Sequence, residues 1–214
     1  MGFGLYLVTD RAQTRGRPLL DVIKMALEGG AEAVQLRERD LSDLELYRLA
    51  DQTRRLCDDF GAALLINDRI DVALGVDAQG IHLGGHSFPI REARRLLGMG
   101  RIIGASTHSV LEARMAEAEG ADFVVFGPVH HTPSKARYGE PVGEERMHEA
   151  AAAVRIPLLA IGGVNAASVP RLLASGARGV AVISAIHAAD DPREATREFV
   201  RSLETGPYGR HKPN

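Results

Sequence analysis

The chain has 214 residues, of which 45% are hydrophobic and 25% are charged, and its net charge is −2. These values are ordinary for a globular domain, and the charge balance favours neither nucleic acid nor an anionic membrane as a partner. No apolar run approaches the ~20 residues that span a bilayer. A strand begins at Leu5 with no room for a leader before it, and the single Cys57 excludes an internal disulfide, so we expect a cytoplasmic protein.

Eight short runs rich in Val, Ile and Leu alternate with stretches of helical periodicity. The predicted strands are 4–9, 33–37, 63–67, 80–84, 102–106, 122–127, 157–161 and 179–184. The predicted helices are 18–29, 43–60, 69–76, 90–97, 109–119, 144–154, 165–175 and 191–204. Eight such units favour an α/β fold with a single (β/α)8 TIM barrel over residues 1–204, because a doubly wound sheet usually has fewer strands. The Gly- and Pro-containing segment 205–214 is predicted to be a disordered tail.

In a barrel of this kind, functional groups lie at the carboxyl ends of the strands, and phosphate binds after strands seven and eight. Gly162 and Gly163 follow the seventh predicted strand, and Ile183 and Ser184 close the eighth. Glycine lets backbone N–H groups approach an anion, and a following short helix adds its positive end. The sequence therefore predicts a phosphate site here, although the glycines are also compatible with a tight turn alone.

Gln35, Arg37 and Arg39 alternate at the end of the second predicted strand. The period of two places their side chains on one side, where the two arginines would clamp a phosphate or a diphosphate. Glu38 and Asp40 would then face the other way and pair with helices. A solvated charge run is the alternative interpretation.

Asp68 follows Asn67 at the end of the third predicted strand. A carboxylate at this place is suited to Mg²⁺ held between substrate phosphates. Asp is also a good helix cap, and capping of the helix near Arg69 is the alternative. Ser106 closes the fifth strand and is expected to face the same cavity.

The longest connection, 128–143, contains Lys135, one of only three lysines in a chain that otherwise uses arginine. A lysine on such a loop suggests a phosphate contact made on closure. Thr132 and Ser134 would donate hydroxyl hydrogen bonds. His130 and His131 are the candidate acid or base groups, and the other histidines are interpreted as structural or peripheral.

Several motifs in fixed order resemble the thiamine phosphate synthase family, which includes the thiazole tautomerases. The resemblance covers residues 5 to about 188. The motifs are Gln35-Leu36-Arg37-Glu38-Arg39, Asn67-Asp68-Arg69, Gly80-Ile81-His82-Leu83-Gly84, Gly127-Pro128-Val129 with Thr132-Pro133-Ser134-Lys135, Ala160-Ile161-Gly162-Gly163 and Val182-Ile183-Ser184-Ala185-Ile186.

The resemblance implies a (β/α)8 barrel that joins hydroxymethylpyrimidine diphosphate to a thiazole phosphate, giving thiamine phosphate and pyrophosphate. It implies that Asp68 holds Mg²⁺. The residues implied to bind the pyrimidine diphosphate are Gln35, Arg37, Arg39, Asn67, Ser106 and Lys135, of which Arg37, Lys135 and Ser106 are the catalytic candidates. Those implied to bind the thiazole phosphate are Thr132, Ser134, Gly163, Ile183 and Ser184.

Two positions depart from the family pattern. Synthases usually carry a second magnesium aspartate where this chain has Ser87, and tautomerases usually carry a catalytic histidine where it has Pro128. The predicted function is a synthase with phosphorylated small-molecule substrates and a possible homodimeric assembly. A thiazole tautomerase using His130 or His131, or a non-catalytic sensor of thiazole or thiamine phosphates, are the alternatives.

Overall fold

The computed structural model describes residues 2–131 and 140–205. Its centre is a closed barrel of eight parallel strands, each hydrogen-bonded to the next in chain order, with the first paired to the last. The strands are β1 (Leu5–Val8), β2 (Ala33–Leu36), β3 (Ala63–Asn67), β4 (Gly80–Leu83), β5 (Ile102–Thr107), β6 (Phe123–Phe126), β7 (Leu158–Ile161) and β8 (Gly179–Val182). The predicted (β/α)8 TIM barrel is confirmed.

Helices follow the strands and surround the barrel. They are α1 (Leu19–Glu28), α2 (Asp43–Phe60), α3 (Ile70–Gly75), α4 (Ile90–Leu97), α5 (Val110–Glu119), α6 (Gly143–Ala153), α7 (Val169–Ala174), α8 (Ser184–His187) and α9 (Pro192–Glu204). Local sequence fixes several ends. Ser42 and Glu45 form a capping box at the start of α2, and the left-handed Gly61 ends that helix. Asp191 accepts hydrogen bonds from the first turn of α9.

Alternation along the strands divides the apolar residues between two cores. One set faces the helices and includes Leu7, Leu64 and Ile81, which are fully buried. The other fills the barrel and includes Tyr6, Leu65, Phe123, Val125 and Leu159. Because successive strand residues point to opposite sides, this division also determines which polar residues face the interior.

Two predicted elements need correction. The eighth strand was predicted to reach residue 184, but it ends at Val182, because Ile183 leaves the extended conformation at φ −121° and ψ −88° and Ser184 begins α8. The predicted helix 165–175 is divided into a 3-10 turn, Ala166–Ser168, and α7, with Asn165 capping the turn. None of the helices in the described residues is both long and apolar enough to cross a membrane. Most of the predicted tail, residues 206–214, lies outside the described residues.

Candidate active site

The carboxyl ends of β2 and β3 bring two arginines close to a carboxylate. Arg37 is half-buried, and its backbone N–H donates to Thr9 Oγ1 at 2.9 Å, which links the ends of β1 and β2. Burial lowers the pKa of Arg37, and the charge of Arg39 lowers it further, while Asp10, Asp68 and Glu38 act in the opposite direction. The positive charges of Arg37 and Arg39 repel each other, and a bound polyanion would relieve that repulsion.

Arg39 is exposed and lines a cavity of about 160 Å³ together with Asn67, Asp68 and Arg69. Glu38 also lines this cavity, so the alternation predicted for the charged run does not continue past the end of β2. The predicted pairing of Glu38 and Asp40 with helices is also corrected. Both carboxylates bind Arg11 in the 3-10 turn after β1: Glu38 accepts its backbone N–H at 3.2 Å, and Asp40 accepts its guanidinium at 2.7 Å.

Asp68 does not cap the following helix. The residue before α3 is Arg69, and Asp68 itself has a left-handed backbone with φ +62°. Its Oδ2 accepts a hydrogen bond from Asn67 Nδ2 at 2.7 Å, and its Oδ1 accepts one from the Ser87 hydroxyl. The Ser87 oxygen also accepts the Gly84 N–H at 2.6 Å. Positive φ in a non-glycine residue is uncommon and clusters at functional sites.

The carboxylate of Asp68 fits one mode of magnesium binding. Within residues 2–131 and 140–205, no three His, Cys, Asp or Glu side chains are grouped to hold a metal by themselves. Mg²⁺ commonly takes one or two protein carboxylates and completes its shell with waters and substrate phosphates. Asp68 supplies a carboxylate of that type, held by hydrogen bonds from Asn67 and Ser87, so it suits a metal carried with a diphosphate.

The turn after β7 is closely packed against the segment after β6. Gly162 and Gly163 have φ of +95° and +64°, so both occupy the left-handed region. A Cβ on Gly162 would lie 2.4 Å from Pro128 Cβ, and one on Gly163 would lie 2.6 Å from the His131 carbonyl oxygen. Conformation and space therefore both require glycine here. The next strand end places Ile183 and Ser184 at the start of α8.

Four polar side chains form a chain of hydrogen bonds inside the barrel. Gln35 Nε2 donates to the Tyr6 hydroxyl at 3.2 Å, the hydroxyl lies 3.5 Å from His82 Nδ1, and His82 Nε2 lies 2.9 Å from Ser106 Oγ. Gln35, Tyr6 and His82 are buried, whereas Ser106 is partly accessible. Burial lowers the pKa of His82 to about 3, and it raises the pKa of the Tyr6 hydroxyl.

The sequence-based interpretation missed two residues of this group, Tyr6 and His82. His82 was interpreted with the structural or peripheral histidines. The available signal was the alternation in β4: Ile81 and Leu83 pack towards the helices, which directs His82 into the barrel.

The two candidate acid or base histidines lie after β6. His130 Nε2 is 2.6 Å from Glu144 Oε1 on α6, and the same oxygen accepts from Arg171 on α7 at 2.9 Å. His131 is exposed. Glu144 of α6 thus joins His130, in the segment after β6, to Arg171 of α7. Thr132, Ser134 and Lys135 lie outside the described residues, so their roles stay predictions.

A closed parallel barrel with guanidinium groups, a carboxylate and glycine turns at its carboxyl-end face has the arrangement of a TIM-barrel enzyme whose mouth is suited to anions. Residues 5–186 match the family model described as thiamine monophosphate synthase. The chain belongs to the thiamine monophosphate synthase family, which confirms the resemblance drawn from its motifs.

Individual relatives agree with this placement. A chain from Geobacter sulfurreducens, which carries the thiamine-phosphate synthase name provisionally, is 53% identical over 201 residues and covers 94% of both chains. A thiamine-phosphate synthase from Chlorobium luteolum is 48% identical and covers 87% of this chain and 88% of its own. Among solved structures, a thiamine phosphate pyrophosphorylase from Pyrococcus furiosus has a TM-score of 0.86 at 38% identity, covering 94% of this chain and 96% of its own.

Proposed function

We propose that the protein is a thiamine phosphate synthase, a transferase of thiamine biosynthesis. It joins hydroxymethylpyrimidine diphosphate to a thiazole phosphate and releases pyrophosphate. The observation that carries the proposal is the grouping of Arg37, Arg39 and Asp68 at neighbouring strand ends, in a chain of this family.

The reaction requires that the C–O bond to the diphosphate break, with its electron pair leaving on the pyrophosphate. The thiazole nitrogen then forms the new C–N bond. Arg37 is placed to stabilise the leaving charge, because its guanidinium is half-buried and already faces the repulsion of Arg39. A partly desolvated cation interacts more strongly with an anion than an exposed one does. No protein nucleophile is needed.

Asp68 would hold Mg²⁺, with Ser87 and Asn67 orienting its two carboxylate oxygens. When bound, the ion neutralises charge on the diphosphate and makes pyrophosphate a better leaving group. The single carboxylate suits a metal that is bound jointly with the substrate.

The thiazole phosphate is assigned to the turns after β7 and β8. Gly162 and Gly163 have positive φ and no side chain, Gly163 is exposed, and Ile183 precedes α8, which begins at Ser184. Backbone N–H groups in such turns bind phosphate. Thr132 and Ser134, predicted from the sequence, would donate hydroxyl hydrogen bonds to the thiazole phosphate. Lys135 would place a positive charge beside the diphosphate of the other substrate.

The test is an assay of pyrophosphate release and thiazole isomerisation on the same preparation. We expect Mg²⁺-dependent pyrophosphate release that requires both substrates. Metal-independent isomerisation of a thiazole carboxylate phosphate, without pyrophosphate release, would identify a tautomerase. Tight calorimetric binding with no turnover in either assay would identify a sensor.

Arg37→Gln tests the assigned diphosphate contact. Loss of a hydrogen bond to a charged group costs about 1.5–3 kcal/mol, so kcat/KM should fall by roughly 10- to 150-fold. Arg48→Gln, on the exposed side of α2, is the matched control and should change it less than twofold. Equal effects of the two substitutions would contradict the assignment.

A homodimer and a cytoplasmic location remain expectations from the sequence. Sedimentation at micromolar concentration tests the first: a mass of twice 23.0 kDa is expected, and a monomer would contradict it.

A further inference from the structure

The interior of the barrel contains a histidine that the proposed chemistry does not use. His82 is 2% exposed, and its ring lies among the rings of Tyr6 and Phe123 at centroid distances of 5.8 and 5.9 Å. An apolar residue would fill this place without the cost of burying two ring nitrogens. Both nitrogens nevertheless have partners, Tyr6 on one side and Ser106 on the other.

The neighbouring strand is shaped around this ring. A Cβ on Gly104 of β5 would lie 2.6 Å from His82 Nδ1 and 2.4 Å from Phe123 Cζ. Gly104 and Ser106 face the same side of β5, because their positions differ by two. The strand thus leaves space for the imidazole at one inward position and provides its hydrogen-bond partner at the next.

The order of donors along the chain of hydrogen bonds follows from its members. Gln35 donates its amide N–H to the Tyr6 oxygen, so the Tyr6 hydroxyl hydrogen is free for His82 Nδ1. A neutral imidazole that accepts at Nδ1 carries its hydrogen on Nε2, which then donates to Ser106 Oγ. Among the described residues, the Ser106 hydroxyl hydrogen and the Gln35 Oε1 oxygen have no hydrogen-bond partner, so both are available to a ligand.

We propose that His82 is a positioning residue: through Ser106 on one side and through Tyr6 to Gln35 on the other, it fixes one donor and one acceptor for the pyrimidine ring of the substrate. This inference rests on the proposed function, because Gln35 and Ser106 are assigned there to the pyrimidine substrate. An aminopyrimidine has ring nitrogens that accept and an amino group that donates, so a donor and an acceptor of fixed polarity distinguish it from a hydrocarbon ring. His82 itself contacts protein groups.

The kinetic test compares four variants at positions 82 and 106: His82→Phe, His82→Gln, Ser106→Ala, and His82→Phe combined with Ser106→Ala. His82→Phe keeps an aromatic ring but removes both hydrogen bonds, and we expect kcat/KM for the pyrimidine diphosphate to fall by about 10- to 100-fold, with KM for the thiazole phosphate changed less than twofold. His82→Gln retains a donor and should recover most of the loss. His82→Phe combined with Ser106→Ala should be no worse than the more damaging single variant, because residues that act as one unit are not additive.

Several outcomes would overturn the proposal. They are an unchanged kcat/KM in His82→Phe, equal losses for both substrates, or multiplicative losses in the double variant. Circular dichroism and thermal unfolding show whether His82→Phe is folded. If it is not, the kinetic test rests on His82→Gln and Ser106→Ala.

A second measurement does not depend on activity. Nitrogen-15 NMR of the wild-type protein at pH 7.5, with His82 assigned from its loss in His82→Gln, should show a neutral ring with hydrogen on Nε2. A ring with hydrogen on Nδ1 would overturn the hydrogen-bond order even if the enzyme is a synthase. If the expected tautomer is observed but the protein releases no pyrophosphate, the order of hydrogen bonds from Gln35 to Ser106 stands and only the proposed function is wrong.

Discussion

Two glycines with nearly the same φ angle offer a matched test of the turn after β7. Gly163 has φ +64° and Gly61, at the end of α2, has φ +66°. A Cβ on Gly163 would lie 2.6 Å from the His131 carbonyl oxygen and 2.7 Å from His130 Cβ, whereas a Cβ on Gly61 would have no atom within 4 Å among the described residues. Alanine would have an unfavourable positive φ at either position, whereas only Gly163→Ala would also be sterically crowded.

The expected magnitudes follow from these contacts. A left-handed backbone costs an L-residue roughly 1–2 kcal/mol, which applies to both variants. Crowding of a closely packed region adds about 1–3 kcal/mol, which applies to Gly163→Ala alone. One kcal/mol lowers the Tm of a protein of this size by about 2–4 °C. The Tm of Gly163→Ala should therefore lie about 2–12 °C below that of Gly61→Ala.

The same pair separates packing from substrate binding. Movement of the Gly163 turn should raise KM for the thiazole phosphate at least tenfold, while KM for the pyrimidine diphosphate changes little. Gly61→Ala should change neither KM by more than twofold. Thermal unfolding by calorimetry and steady-state kinetics supply the measurements. Equal Tm values for the two variants would show that the Gly163 turn is not crowded, and an unchanged thiazole phosphate KM in Gly163→Ala would show that this turn does not hold the thiazole phosphate.

Three further predictions concern the metal and pH. Asp68→Asn should lower activity at least a hundredfold, with excess Mg²⁺ restoring little; full activity would exclude Asp68 as the metal ligand. Ser87→Asp adds a second carboxylate beside Asp68 and should lower the Mg²⁺ concentration for half-maximal rate, whereas Ser87→Asn, the uncharged control, should not. Burial lowers the pKa of His187 to about 4. Because the unfolded histidine, with a pKa of about 6.5, binds more protons, His187 makes stability fall as pH falls from 6.5 towards 4, by up to about 1.4 kcal/mol per pH unit. In chemical denaturation at several pH values, His187→Gln should have a shallower pH dependence of unfolding free energy than wild type; identical slopes would contradict this.

The barrel was predictable because its strands are short, β-branched and regularly spaced, and because helix caps such as Asp191 and Gly61 are local signals. The end of β8 was not, since Val182-Ile183-Ser184 contains no residue that breaks a strand. Ile183 nevertheless leaves the extended conformation and α8 begins at Ser184, which the residue types alone do not indicate.

Some residues of the candidate site were likewise predictable from the sequence and others were not. Residues at strand ends, such as Arg37 and Asp68, were predictable because a parallel barrel places all carboxyl ends on one face. His82 was missed because its partners, Tyr6 and Ser106, come from strands distant in the chain. The contacts of Arg11 with Glu38 and Asp40 could not be predicted either, because these residues are distant in the chain.

Synthase activity is tested by phosphorus-31 NMR of the wild-type protein with hydroxymethylpyrimidine diphosphate, a thiazole phosphate and Mg²⁺ in one tube. We expect the diphosphate signal to be replaced by those of pyrophosphate and thiamine phosphate in equal amounts, and omission of either the thiazole phosphate or Mg²⁺ to prevent this. Both substrates remaining unchanged in the complete mixture, with the protein folded, would contradict it.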